Sequence, residues 1–161
     1  MTLKQWIDIF DKKSKQLQHF WSIEFDDSIQ ADQPAAGWEK YIRGAFASFR
    51  CSKCRRSWPS KRVLVAFHMR LDKSQRKGTV KVRRFRQDCK SCNQPEMEEP
   101  SFSEKNVEVL IDKLIEKIRI KCYKQKTGRK PRAFYSDHDP EGPHEKAHCE
   151  ACKSGICRRG N

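Results

Sequence analysis

CSKCRRSWPSKRVLVAFHMRLDKSQRKGTVKVRRFRQDCKSC, residues 51 to 92, decides the fold. A CxxC pair stands at each end, Cys51/Cys54 and Cys89/Cys92, with 34 residues between them. Within that interval, residues 62 to 71 alternate. Val63, Val65, Phe67, Met69 and Leu71 share one face, and Leu64, Ala66, His68 and Arg70 share the other. A period of two is the signature of a strand. DKSQRKG then reads as a turn, and residues 79 to 87 return as a second strand, which makes a β-hairpin with a basic loop and a basic return. His68 is expected to be a surface strand residue, since no cysteine lies near it in sequence.

The paired cysteines need a chemistry. Lys53, Arg55 and Arg56 crowd the first pair, and cationic neighbours favour thiolate. Thiolate serves as a metal ligand, a redox nucleophile or half of a disulfide. The opening MTLKQWIDIFDKKSKQL has no apolar signal region, because Asp8, Asp11, Lys12 and Lys13 interrupt it. The cysteines are therefore expected to face a reducing compartment, where paired CxxC motifs read as zinc ligands. Two knuckles joined by antiparallel strands make a zinc ribbon, with four thiolates at about 2.3 Å from a tetrahedral ion. A thioredoxin-like redox use of CxxC is the alternative, but it calls for a βαβ unit that neither pair shows.

A third cluster, HEKAHCEACKSGIC, offers Cys149, Cys152 and Cys157, with His144 or His148 as a nitrogen ligand. The four residues that separate His144 from Cys149 give it room to turn back, so His144 is the favoured candidate. The zinc count expected is two ions. A cross-braced site, in which 149/152 joins an earlier pair, remains open on spacing alone. No three-ligand set with a neighbouring general base is visible, so the sites read as structural.

Working outward, residues 2 to 18 read as an amphipathic helix with Trp6, Ile9, Phe10 and Leu17 near one face. FWSIEF (20–25) alternates as a strand, and DDSIQADQPAAG reads as a loop. Trp38, Tyr41, Ile42, Ala45, Phe46 and Phe49 follow helical spacing up to Cys51. Residues 103 to 123 make the strongest helix. Ser101 or Ser103 is its cap, and Val107, Leu110, Ile111, Leu114, Ile118 and Cys122 form its apolar stripe. Cys122 reads as a buried small apolar residue. The expected class is α+β: a small antiparallel hairpin or sheet stapled by structural zinc, packed with an amino-terminal helix and the long helix. Residues 1–123 form the core, 124–143 a basic linker, and 144–161 a Cys/His zinc-binding segment that folds back on it.

Apolar and charged residues are 36% and 35% of the 161-residue chain, a lean core that suits a metal staple. The net charge of +14 is concentrated. Residues 50–90 hold fifteen Lys/Arg against Asp72 and Asp88, a window of +13 that leaves +1 for the rest. Such a patch suits an anionic partner: RNA, an anionic membrane surface or acidic protein loops. The candidate nucleic-acid contacts are Lys53, Arg55, Arg56, Arg76, Lys77, Lys81, Arg83, Arg84 and Arg86. Phe85 and Trp58 read either as base-stacking platforms or as core.

FRCSKCRRSWPSKRV, GTVKVRRFRQDCKSCN and HCEACKSGIC, with GWEKYIRGAFASFRCSKC and the helix ending IKCY, resemble the three-CxxC zinc-finger domain of the receptor-transporting proteins. The resemblance runs over about residues 1–158. It implies a zinc-binding accessory protein with no catalytic activity, a non-enzyme that helps G-protein-coupled receptors (olfactory, bitter taste and opioid) reach the cell surface. For the family's interferon-inducible member it also implies an antiviral role through RNA, viral or single-stranded. By motif match, Cys51, Cys54, Cys89, Cys92, Cys149 and Cys152 carry over as zinc ligands. Family members run on into a variable tail and a membrane anchor, whereas this chain ends at Asn161. The expectation is a truncated or short, soluble, cytoplasmic form. A place on the cytoplasmic face of the endoplasmic reticulum or plasma membrane is then implied by the resemblance alone, for the full-length form.

Overall fold

The structure, a computed structural model, describes residues 2–125. Its elements are α1 (Leu3–Ser14), β1 (Phe20–Phe25), β2 (Glu39–Arg50), β3 (Ser57–Asp72), β4 (Lys77–Arg84) and α2 (Glu104–Lys121). The chain is α+β. The strands form one mixed sheet in the order β1-β4-β3-β2. The two hairpin pairings are antiparallel, and β1 joins β4 in parallel, with Phe20 opposite Lys77 and Phe25 opposite Val82.

One sheet face carries the helices. Val63, Val65, Phe67 and Met69 of β3 and Val80 and Val82 of β4 are buried there, as the alternation requires. Thr2 and Gln5 cap α1 reciprocally, Thr2 N donating to Gln5 Oε1 (2.7 Å) and Gln5 N to Thr2 Oγ1 (3.3 Å). The helix buries Trp6 and Phe10. Ser103, not Ser101, caps α2, accepting from Asn106 N at 3.2 Å. Ser101 instead bridges Ser48 of β2. The stripe of α2 is buried as expected and gains Ile115. Burying each such side chain contributes about 1.5–3 kcal/mol relative to exposure. Cys122 is half-buried at the end of α2 and packs against this core.

Residues 38 to 49, read as helical from their aromatics, form β2 instead. From Glu39 to Arg50 they pair with β3 on both sides of a register shift between Ala45 and Ala47. Tyr41, Ala45, Ala47 and Phe49 all meet the helix-side core, which is a period of two. A bulge makes this possible: from Ala45↔Val63 to Ala47↔Ser60, β2 advances two residues while β3 advances three. Trp58 and Ser60 are thereby returned to the core face.

The other sheet face is partly roofed by residues 26–37, the expected loop. Ile29 and Ala31 pack with Leu64, Ala66 and Phe85 in a second small cluster. This corrects one expectation and decides between two readings of another residue. His68 is 4% exposed and holds Ala31 O through Nε2 at 3.0 Å, so it is not a surface residue. Phe85 is 2% exposed, so of its two readings the core one holds and it presents no stacking platform.

Candidate metal centre and basic surface

Cys51 follows β2, Cys54 lies in the β2–β3 turn, and Cys89 and Cys92 follow β4. The antiparallel β3 pairs with both β2 and β4 and so brings both knuckles to one end of the sheet. The four ligand sulfurs lie within 4.8 Å of one another. Cys51 Sγ is 3.5 Å from Cys92 Sγ, and Cys54 Sγ is 3.7 Å from Cys89 Sγ. A tetrahedral ion with ligands at about 2.3 Å has ligand–ligand edges of about 3.8 Å, so the donor set fits zinc.

Backbone geometry shapes the first knuckle. Cys51 N donates to Arg56 O (2.8 Å), Arg55 N donates to Cys51 O (3.0 Å), and Arg55 adopts a left-handed φ of 66°. This turn aims the amides of Lys53 and Cys54 at Cys51 Sγ, each at 3.4 Å. Those N–H groups lower the Cys51 pKa, that of Cys54 most. Arg56 Nε donates to Cys89 Sγ at 3.4 Å, and this cation is the main cause that brings Cys89 down to about 6. Cys92 is pushed up to about 12, chiefly by its hydrogen bond with Cys51. Amide and guanidinium donors of this kind stabilise metal-bound thiolates, because they meet negative charge left after coordination.

Contacts beyond the sulfurs tie the knuckles together. Glu98 Oε2 accepts from Ser52 N (2.7 Å) and Ser52 Oγ (2.8 Å), and Lys53 Nζ reaches Gln94 O (2.6 Å). Gln87 pairs with Glu98 in an antiparallel bridge, accepts from Trp58 Nε1 (2.9 Å) and donates to Ser60 Oγ (3.0 Å). Sequence reasoning passed over Ser52, Gln87 and Glu98. The available signal was the acidic PEMEEP segment just after the second pair.

The basic window divides by use. Lys81 lies 3.5 Å from Asp26 and over the Trp38 ring, and Arg83 donates to Ile29 O at 3.0 Å. Arg84 is buried over the Phe25 ring, 3.5 Å from Glu99, and burial lowers its pKa. Arg86 pairs with Asp27 (2.6 Å) and Glu99 (3.3 Å). Arg56 covers Trp58, which in turn stacks on Phe49. Lys53, Arg55, Arg76 and Lys77 are exposed, the first two at the knuckle and the last two at the far hairpin turn. The nine candidates therefore do not converge on one surface. His144, Cys149, Cys152 and Cys157 lie outside the described residues. No helix among the described residues is long and apolar enough to cross a membrane.

A family of zinc-binding domains of three-CxxC ribbon type matches residues 44–155. Receptor-transporting protein 2 of Mus musculus is 33% identical over 159 residues, which covers 97% of this chain and 71% of that protein. Receptor-transporting protein 3 of Mus musculus is 34% identical over 163 residues, covering 98% of this chain and 34% of that protein. Receptor-transporting protein 4 of Homo sapiens is 36% identical over 141 residues, covering 87% and 57%. The chain thus spans between 34% and 71% of the length of these relatives. No solved structure matches it. With its four-thiol centre and this span of likeness, the chain belongs to the receptor-transporting protein family through a three-CxxC zinc-binding domain.

Proposed function

We propose that this chain is a non-enzymatic accessory domain that promotes delivery of G-protein-coupled receptors to the cell surface, its fold stapled by zinc at Cys51, Cys54, Cys89 and Cys92. The observation that carries this reading is the tetrahedral spacing of four thiols in a chain whose relatives are named for receptor transport. Olfactory, bitter taste and opioid receptors are the cargo classes. The site of action is the cytoplasmic face of the endoplasmic reticulum or plasma membrane. A second zinc held by Cys149, Cys152, Cys157 and His144 completes the domain. Zinc in the centre supplies cross-linking and charge neutralisation; the sulfurs act as ligands, not as a thiol–disulfide couple.

The test is surface delivery of a co-expressed receptor, read by flow cytometry. Cys89→Ser/Cys92→Ser should reduce delivery to the level seen without the chain. Full delivery by that variant at equal protein level would sink the reading. Native mass spectrometry counts the ions, two being expected.

A second reading, RNA binding with an antiviral role, is favoured by the +13 window. The exposed Lys53 and Arg55 at the knuckle are its best contacts, with Arg56 beside them. Binding of a single-stranded RNA should fall along a log-log salt slope of about 0.7 per phosphate contacted. Lys53→Ser/Arg55→Ser should flatten that slope by about 1.4. An unchanged slope would remove these residues from the interface.

A further inference from the structure

The far end of the sheet, opposite the thiols, has no role in the reading above. The turn between β3 and β4 carries Lys73 and Arg76, Lys77 opens β4, and Arg70 lies near the end of β3, all four exposed. The register continues the patch onto the edge strand. Lys77 lies between Asp72 and Phe20, side by side on the face away from the helices. Phe20 is 67% exposed, more than any other large apolar side chain among the described residues.

The chain holds this tip in shape. Asp72 Oδ1 accepts from Ser74 N (3.0 Å), Ser74 Oγ (2.6 Å) and Gln75 N (3.3 Å), and Arg76 adopts a left-handed φ of 53°. Trp21 lies flat on Gly78, where any Cβ would collide with its ring, so β1 is pressed against β4 and the register sets the Phe20 backbone beside Lys77. Four cations and one carboxylate leave the tip at +3.

We infer that this tip is a docking surface for an anionic lipid bilayer, with Phe20 entering the interface and Arg70, Lys73, Arg76 and Lys77 meeting the headgroups. An amphipathic aromatic–basic combination is what an anionic leaflet attracts. Single-stranded nucleic acid is the poorer match. Binders of that class track the strand along a positive groove with several stacking rings, whereas this tip is a projecting turn with one ring. The inference stands on charge and exposure, independently of the receptor reading.

The test is co-sedimentation of the full chain with vesicles of phosphatidylcholine alone or mixed with phosphatidylserine. Binding is expected only to the mixed vesicles. Each cation near such a surface is worth about fivefold in partitioning, so Arg76→Ser/Lys77→Ser should weaken binding by about 25-fold. Lys4→Ser/Lys105→Ser makes the same charge change on the exposed helices and should leave binding nearly intact. Phe20→Ser should weaken binding by about tenfold, with that loss persisting at high salt. Equal losses in both double variants would overturn the inference, as would wild-type binding by the tip variant. Loss of single-stranded RNA binding in the tip variant, with vesicle binding unchanged, would overturn it in favour of nucleic acid.

Discussion

Arg56 offers the sharpest perturbation of the metal centre. Its Nε meets Cys89 Sγ at 3.4 Å while its guanidinium lies 4.6 Å from the Trp58 ring centroid. Four thiolates and one zinc leave a net charge of about −2 on the cluster, so a cation bonded to a ligand sulfur opposes both protonation and metal loss. Removal of an outer partner of a metal ligand typically costs 10–100-fold in affinity. Arg56 contributes one long N–H bond to sulfur and is half-buried, which places the expected loss near the low end, about tenfold. Arg56→Met is the apt substitution because its straight apolar chain keeps much of the cover over Trp58. The assay is competition for zinc against a fluorescent chelator at near-neutral pH and low salt. Arg55→Gly is the matched control. It deletes the same charge one residue away, makes no sulfur contact and relaxes a backbone held at φ 66°. Its affinity should change by less than about twofold, since exposed charge acts weakly through solvent. Equal losses in the two variants would show that only the general field matters. An unchanged affinity in a folded Arg56→Met protein would refute the role of the bond outright.

Three further outcomes are expected. Phe85→Ala should destabilise the chain by about 3 kcal/mol in urea unfolding, because a fully buried aromatic leaves a cavity; an unchanged midpoint would return Phe85 to a surface role. Burial pushes the Cys122 thiol up to about 11. At about pH 8 roughly one thiol in a thousand is then ionised, against roughly a quarter for an ordinary cysteine, so iodoacetamide should label Cys122 about a hundredfold more slowly in the folded chain than in urea. Peptide mass spectrometry reads this directly, and equal labelling would contradict the burial. The hydrogen bond from Ser74 Oγ, then that from Gln75 N–H, holds the Asp72 carboxyl below its ordinary value. Its stabilisation is full above about pH 4 and is lost as pH falls through the lowered folded-state value. Asp72→Asn should therefore be less stable than wild type near neutrality and approach it as pH falls through that lowered value, and a difference that stays constant across an acid titration would exclude this ionic contribution.

The hairpin, the four thiols and α2 were legible because each writes its own period or spacing into consecutive residues. Val63 to Leu71 alternates over a full strand, and the 107–118 stripe cannot be mistaken for anything but a helix face. Residues 38–49 misled because their apolar positions satisfy both periods. Ile42 and Phe46 supplied the apparent helical stripe, yet Ile42 packs on the roofed face and Phe46 is 48% exposed. Only the pairing with β3 resolves the conflict, and pairing is long-range. His68 was misplaced for the same reason. Nothing near it in sequence announces that Ile29 and Ala31, nearly forty residues upstream, will cover its face. The parallel joining of β1 to β4 leaves no local mark at all.

The roofing segment also decides what the positive charge is for. Besides Ile29 and Ala31 it carries Asp26 and Asp27, which meet Lys81 and Arg86, and its Ile29 carbonyl accepts from Arg83. Glu99, from beyond the second knuckle, meets Arg84 and Arg86. The second half of β4, with Arg86 just beyond it, therefore uses its cations to hold a loop and a knuckle to the sheet. Exposed pairs of this kind contribute little singly, about 0–1 kcal/mol, but Arg84 is 7% exposed and would be costly to leave unpaired. A partner that drew these arginines away would first have to loosen the roof over Phe85 and His68. Anionic partners thus meet less resistance at the two ends of the sheet, where exposed Arg55 lies by the thiols and exposed Arg76 and Lys77 lie by Phe20; Lys53, though exposed, already holds Gln94 O. The two ends differ in kind: the knuckle offers charge on a metal-ordered turn, and the tip offers charge beside an exposed ring. One basic window of sequence has become two separate surfaces, and substitutions at one should leave binding at the other intact.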